Sequence, residues 1–379
     1  MAGRSYAMKT PSHLQYILPV LLFLLIVPAG CNQPVVPIKI GLSINLSGRG
    51  GEAGEHIRDG ALLAIEKINT FGGINGRPLK LLIRDDQNSD TGIQTADQSL
   101  IDEGVVAIIG HSLSSNTIKA YPFVTSNDTL LITAYSASTQ LSGKDDLFLR
   151  TGVDCSLFGR KMAALLKKKK ARSAAFLKDM ANTAFVQDYA NNVKKHFDGA
   201  VTEVEFNSKK PADWDRIITE MLEPQPDAVI FLTEASMTSV ALQKIEAAGY
   251  TGNRIGTIWT QTPGLLRHAG ASANGLSIIT FIGPDNTRPE YLEFAREMEK
   301  KFHKKASARS TRAYELVMIL ADALERCRNI DSRELKAALL AGEYNTLMGH
   351  VKFDQFGDVI RPVYEVVVHD NQFRNMGEI

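Results

Sequence analysis

The stretch Val105–Thr117 constrains this chain more than any other. Val105 to Ile109 are consecutive apolar residues, mostly β-branched, and read as a strand buried on both faces, as in a parallel sheet. Gly110 then permits a sharp turn, and Asn116 or a preceding serine is placed to cap a following helix. Ser112, Ser114 and Ser115 therefore fall beside the unpaired N–H groups of a helix N-terminus, where donors and helix dipole together attract an anion such as a carboxylate. Taken alone, the serines could equally serve only as caps. The next strand favours the first reading, because Leu130-Leu131-Ile132-Thr133 runs into a second hydroxyl-rich turn, Ala134-Tyr135-Ser136-Ala137-Ser138-Thr139. Two such turns side by side form a crevice at the carboxyl edge of an open α/β sheet.

The rest of the chain repeats this alternation. Strands are expected at Ile38–Ser43, Leu79–Arg84 and Leu147–Thr151, with helices over about 52–70 and 91–103. Ile57, Ala61, Ala64, Ile65 and Ile68 recur at helical spacing and mark one buried face. From about Asp154 a second unit of the same kind begins. Its strands are expected at Ser173–Leu177, Val201–Phe206, Asp227–Leu232 and Arg254–Trp259, separated by helices near 183–197, 214–222 and 236–248. Gly275–Gly283 reads as an extended crossing, 288–301 and 311–326 as amphipathic helices, and Val351–Asp354 with Val363–Val368 as a closing strand pair. The fold class is thus α/β: two doubly wound parallel-sheet lobes joined by a multi-strand hinge, with a cleft between them that opens and closes. Residues 38–153 and 280–345 are assigned to the N-terminal lobe, 154–279 and 346–379 to the C-terminal lobe.

Residues 1–31 read as an export signal. Arg4 and Lys9 give a basic start, Ile17–Val27 an apolar core, and Ala29-Gly30-Cys31 a cleavage site; Met8 serves equally well as initiator. The ending resembles a bacterial lipobox with Pro28 where leucine is usual, so lipid on Cys31 is expected, followed by a tether over 32–37. The protein is then exported to the periplasm or cell surface and held at a membrane by its lipid. Net charge is +1, which gives no electrostatic ground for nucleic-acid binding. Scattered histidines and the lack of Cys-x-x-Cys or His-Glu-x-x-His give none for a metal, and no cofactor is expected. Whether Cys155 and Cys327 pair depends on geometry.

Gly110-His111-Ser112-Leu113-Ser114 is one residue away from the Gly-x-Ser-x-Gly nucleophile elbow of serine hydrolases. A serine in place of the last glycine crowds the elbow, and no histidine downstream stands in a recognisable setting. The chain is therefore not expected to be an enzyme.

A family resemblance rests on Phe71-Gly72-Gly73-Ile74-Asn75-Gly76-Arg77-Pro78-Leu79 followed by Arg84-Asp85-Asp86, on Gly110–Ser115, on Leu149-Arg150-Thr151, and on Val351-Lys352-Phe353-Asp354-Gln355-Phe356-Gly357-Asp358. These resemble the leucine/isoleucine/valine-binding family of periplasmic solute-binding proteins, of type I periplasmic-binding fold. The resemblance implies two lobes, a three-strand hinge, and delivery of an amino acid or related polar solute (an amide or a carboxylate) to an ABC permease with paired ATPases. It matches a carboxylate-binding serine to Ser114, with Ser115 beside it. The next loop's ligand groups match Ser136 and Ser138 with a one-residue deletion; without it, Ala137 replaces a ligand threonine. Across the cleft it places Phe185, without the usual tyrosine hydroxyl, together with Glu234 and Trp259; Ala53 stands where an aromatic often shelves the ligand. The same fold feeding a sensor instead of a permease is the alternative.

Overall fold

The computed structural model describes residues 1–5, 7 and 35–379. Residues 1–36 and 37–379 are separate units, and the second is the folded body. Cys31, most of the signal and most of the tether lie outside the described residues.

The first part of the body runs β1 (Ile38–Ile44), α1 (Gly51–Thr70), β2 (Leu79–Asp85), α2 (Asp90–Asp102), β3 (Ala107–Gly110), α3 (Ser114–Ser126), β4 (Leu130–Thr133) and β5 (Phe148–Arg150). Its sheet is parallel, in the order β2-β1-β3-β4-β5. A second part follows with α4 (Cys155–Lys168), β6 (Ser173–Asp179), α5 (Thr183–Lys194), β7 (Ala200–Phe206), α6 (Trp214–Leu222), β8 (Ala228–Leu232), α7 (Ala235–Ala247), β9 (Asn253–Thr257), α8 (Pro263–Ala269) and β10 (Ser277–Thr280). The chain then returns to the first lobe as α9 (Pro289–Phe302), α10 (Ala308–Arg326), α11 (Ser332–Ala341), β11 (Glu343–Thr346) and β12 (Gly349–Lys352). It ends in the second as β13 (Tyr364–His369) and β14 (Gln372–Glu378). The second sheet has the order β14-β13-β10-β9-β8-β6-β7, parallel except where β13 joins β10 and β14.

Each sheet is covered on both faces, which is why strands such as β3 and β8 are apolar throughout. In the first lobe α1 and α10 cover one face, packing Ile57, Ala64, Leu316 and Leu320 onto Ile40 and Ile132. The other face carries Ile93, Leu100, Ala120 and Val124. In the second lobe α4 and α5 cover one face, and α6, α7 and α8 the other. The approach of α1 to α10 depends on Gly60, where an added Cβ would stand 2.2 Å from the carbonyl of Ser310.

The lobes are joined by three crossings, after β5, β10 and β12, the multi-strand hinge expected from the sequence. Arg150, wholly buried at the end of β5, ties the start of the first crossing to the segment that leads into the third. Its Nε donates to Asp358 Oδ1 at 2.6 Å, and its backbone N–H to the Gly357 carbonyl at 2.9 Å, where Gly357 has φ +89°. This contact joins Arg150 of the Leu149–Thr151 segment to Gly357 and Asp358 of the Val351–Asp358 segment.

Several expectations need correction. Phe281 and Ile282 pack in the second lobe, whereas Leu347, Val351, Phe353 and Val359 pack in the first and Val363 in the second. The second crossing therefore begins after Ile282 rather than at 280, and the third lies between Val359 and Val363 rather than at 346. Val351–Asp354 does not pair with Val363–Val368: β12 pairs with β11, and β13 with β10 and β14. Helix α10 starts at Ala308, not Thr311, set by a Ser307/Ser310 capping box. Helix α3 has Leu113 at its N-cap, with no side-chain cap bond. Cys155 and Cys327 are both buried and unpaired, each in a different lobe's core.

Candidate functional site

In the first sheet the strand order reverses between β1 and β3, in the second between β6 and β8. Loops at such a switch point diverge and leave a crevice at the strands' carboxyl ends. The two crevices face each other. They form a cleft of about 420 Å³, lined by Ser47–Gly50 after β1, Ser112 and Leu113 after β3, Asp179 at the end of β6 and Ala181 beyond it, Glu234 after β8, Trp259 after β9, and Arg309 of α10. A recess continues inward between Ser112, Tyr135, Asn182, Phe185, Ile258, Trp259, Arg309 and Arg312. Outward, the cleft adjoins a space lined by His56, Thr262 and Ser307.

The loops are held from behind. Asp85 accepts from Leu46 N–H at 2.9 Å and Gln87 N–H at 2.8 Å, fastening the glycine-rich loop. Its carboxyl sits below the usual range: burial opposes the charge, but these backbone donors outweigh it. Behind the Ser112 turn, His111 lies between Asp86 (2.7 Å) and Asp97 (3.2 Å), all three side chains fully buried. Burial disfavours its charged form, yet the hydrogen bonds to both carboxylates prevail and push it up to about 9. The imidazolium is thus a structural bolt under the turn, not a base beside Ser112.

The sequence-chosen residues divide into two groups. Phe185, Glu234 and Trp259 do meet at the cleft. Phe185 stands edge-on to Trp259 with ring centres 5.7 Å apart, and Glu234 accepts from Ser236 Oγ at 2.5 Å. The serine turns lie just behind the wall. Ser114 Oγ accepts the Ala137 N–H at 3.0 Å. Ser136 Oγ contacts Thr117 Oγ1, and Ser138 Oγ accepts from Gln140 N–H at 3.3 Å. The Ala137 carbonyl accepts from Cys155 N–H at 2.7 Å. Ser115 joins the lobes: its N–H donates to Asn182 Oδ1 and its Oγ accepts from Ala184 N–H, both at 3.1 Å. With Thr139 N–H donating to Asp188 (2.5 Å), Lys209 Nζ to the Asn88 carbonyl (2.8 Å), and an Arg267–Glu52 ion pair, the two lobes are drawn together.

Ser112, expected at the strand end from the sequence, does line the cleft, whereas the residues missed from the sequence are Tyr135 as a lining side chain, Asn182, Arg309 and Arg312. The available signal was a pair of arginines three apart on the helix that also carries buried Ala313, Leu316 and Val317. Burial penalises both charged forms, and pushes Arg312 down to about 9.

Two facing switch-point crevices, three hinge crossings and a small polar cleft define a two-lobed solute-binding protein. Residues 37–372 match the periplasmic binding protein family, and the chain belongs to it. The family comprises solute-binding proteins rather than enzymes, so the Gly110–Ser114 turn is no nucleophile elbow. A leucine-, isoleucine-, valine-, threonine- and alanine-binding protein of Pseudomonas aeruginosa is 24% identical over 327 residues, covering 85% of this chain and 87% of its own. Among solved structures, a branched-chain amino acid transporter substrate-binding protein of Streptococcus pneumoniae in complex with isoleucine superposes with TM-score 0.82 at 18% identity, covering 90% of this chain and 100% of that one. A solute-binding protein of an ABC transporter from R. palustris in complex with benzoate gives TM-score 0.80 at 17% identity, covering 90% and 96%.

Proposed function

We propose that this protein is the lipid-anchored, extracytoplasmic binding component of an ABC importer, holding an amino acid or a related small carboxylate or amide between its lobes. The observation that carries this is the cleft of about 420 Å³ at the two facing switch points, a size within the ~300–1,000 Å³ usual for small-molecule sites. Arg309 and Glu234 offer opposite charges to one ligand, while Phe185, Ile258 and Trp259 supply apolar cover. Both kinds of contact are needed. A hydrogen bond to a charged group gives ~1.5–3 kcal/mol, association costs ~4–15 kcal/mol, and micromolar binding requires about 8 kcal/mol net. A few polar contacts fall short without the burial of apolar surface.

The relatives support the class of ligand: isoleucine and benzoate, bound by two proteins of similar fold, both carry a carboxylate. The permease and ATPases are the partners such a protein serves. The anchor rests on Ala29-Gly30-Cys31, and Cys31→Ser is expected to release the protein from membranes into the soluble exported fraction. Native mass spectrometry of the purified protein tests the binding function. A retained small molecule that leaves on partial unfolding is expected. A ligand-free spectrum that no amino acid, amide or carboxylate alters would contradict the proposal.

A further inference from the structure

Arg309 stands in the first turn of α10, with 7% of its surface exposed, and borders the cleft, its inner recess and its outer mouth. Its Nε is buried without a hydrogen-bond partner, and among the described residues its guanidinium makes neither hydrogen bond nor ion pair. Its placement is fixed from elsewhere. The Ser307/Ser310 capping box pins the helix start, and Tyr135 Oη donates to the Arg309 carbonyl at 3.0 Å. A cation here carries two penalties, removal from water and a seat at the positive end of a helix dipole. Glu234, on the other lobe, borders the same cleft without pairing to it. Arg312, one turn on, adds a second buried cation at the recess. Its nitrogens donate to the Ala308 and Ala134 carbonyls, both at 3.0 Å, and its guanidinium lies 4.6 Å from the Tyr135 ring centre. Arg309 and Arg312, with Arg49 and Lys209 on the cleft wall, make four cations against two carboxylates, Asp179 and Glu234, so positive charge still predominates around the cleft and its recess. An incoming anion relieves both penalties together.

We propose that the ligand presents a carboxylate to Arg309 and carries net negative charge, so that this cleft selects organic acids over neutral solutes and zwitterions such as leucine. This rests on the solute-binding reading above and names its substrate class. A guanidinium recognises a carboxylate by two parallel N–H···O bonds, which an amide cannot accept in the same way. The Ser114, Ser136 and Ser138 hydroxyls do not compete for this role, since they are engaged within the protein.

The test is a matched panel measured by calorimetry and thermal shift on the purified protein: benzoate and benzamide, succinate and succinamide, glutamate and glutamine, with leucine. At least one acid is expected to bind tenfold or more tighter than its amide and than leucine. Arg309→Met is expected to abolish that preference while leaving the ligand-free melting temperature equal or higher; Arg309→Lys retains part of the preference. Amides or leucine binding as tightly as the acids, or an unchanged acid affinity in Arg309→Met, would overturn the inference and leave solute binding intact. A lower ligand-free melting temperature in both variants would also overturn it, by making Arg309 a structural group. Silence from every probe would instead overturn the solute-binding reading, and this inference with it.

Discussion

Two buried cations stand near the same cleft and are held in opposite ways. His111, behind the wall, has a carboxylate on each ring nitrogen, at 2.7 and 3.2 Å, and is shut off from solvent. Arg309, in the wall, makes no ion pair among the described residues, its nearest carboxylate influence being Glu234 across the cleft, and its Nε lacks a partner. A buried charge that is fully paired contributes to the fold, and removing one member exposes the rest to an uncompensated penalty. A buried charge left unpaired at a cavity is a cost to the fold that a ligand can remove. The difference separates what holds the binding loops in place from what they present.

The largest expected effect breaks the paired side. His111→Ala leaves Asp86 and Asp97 buried without their shared partner and is expected to cost ~3–5 kcal/mol, read as a lower urea midpoint. Next is pH. Because the folded-state pKa of His111 is raised from 6.5 to about 9, its stabilisation is fully present below about pH 6.5 and is lost as pH rises through about 9. The stability gap between wild type and His111→Asn should shrink by on the order of 3 kcal/mol between pH 6 and pH 10; a constant gap would show that the ring is not held charged.

Ser114→Ala sharpens the contrast within the first lobe. It strips the acceptor from the buried Ala137 N–H and is expected to cost ~1–3 kcal/mol of stability, with any loss of affinity secondary. An affinity loss with stability intact would put the hydroxyl on the ligand instead. Smallest is the unpaired side: Arg309→Met should change ligand-free stability by less than ~0.5 kcal/mol in the unfavourable direction, or raise it, as for a surface change rather than a broken pair.

Much of the fold was legible because burial on both faces writes itself into short apolar runs. Val105–Ile109 and Leu130–Thr133 became the adjacent strands β3 and β4, and the hydroxyl-rich turns do follow them at the sheet's carboxyl edge. Which way each hydroxyl points was not legible, since serines two residues apart in one turn face the cleft (Ser112) or a backbone N–H behind it (Ser114). Arg309 escaped for a related reason: helical periodicity is read from apolar residues, and an arginine facing a cavity looks in sequence like one facing solvent. The pairing of β12 was misread because its lobe is decided by tertiary crossings, which alternation along one strand does not encode.

The most direct test of capture between closing lobes is small-angle scattering of the purified wild type, alone and saturated with whichever acid of the matched panel binds most tightly. Bonds such as Ser115 to Asn182 and Ala184 span the lobes here, and a ligand touching both walls favours the closed state. The radius of gyration should shrink on saturation. A radius unchanged at saturating acid would contradict capture by closure.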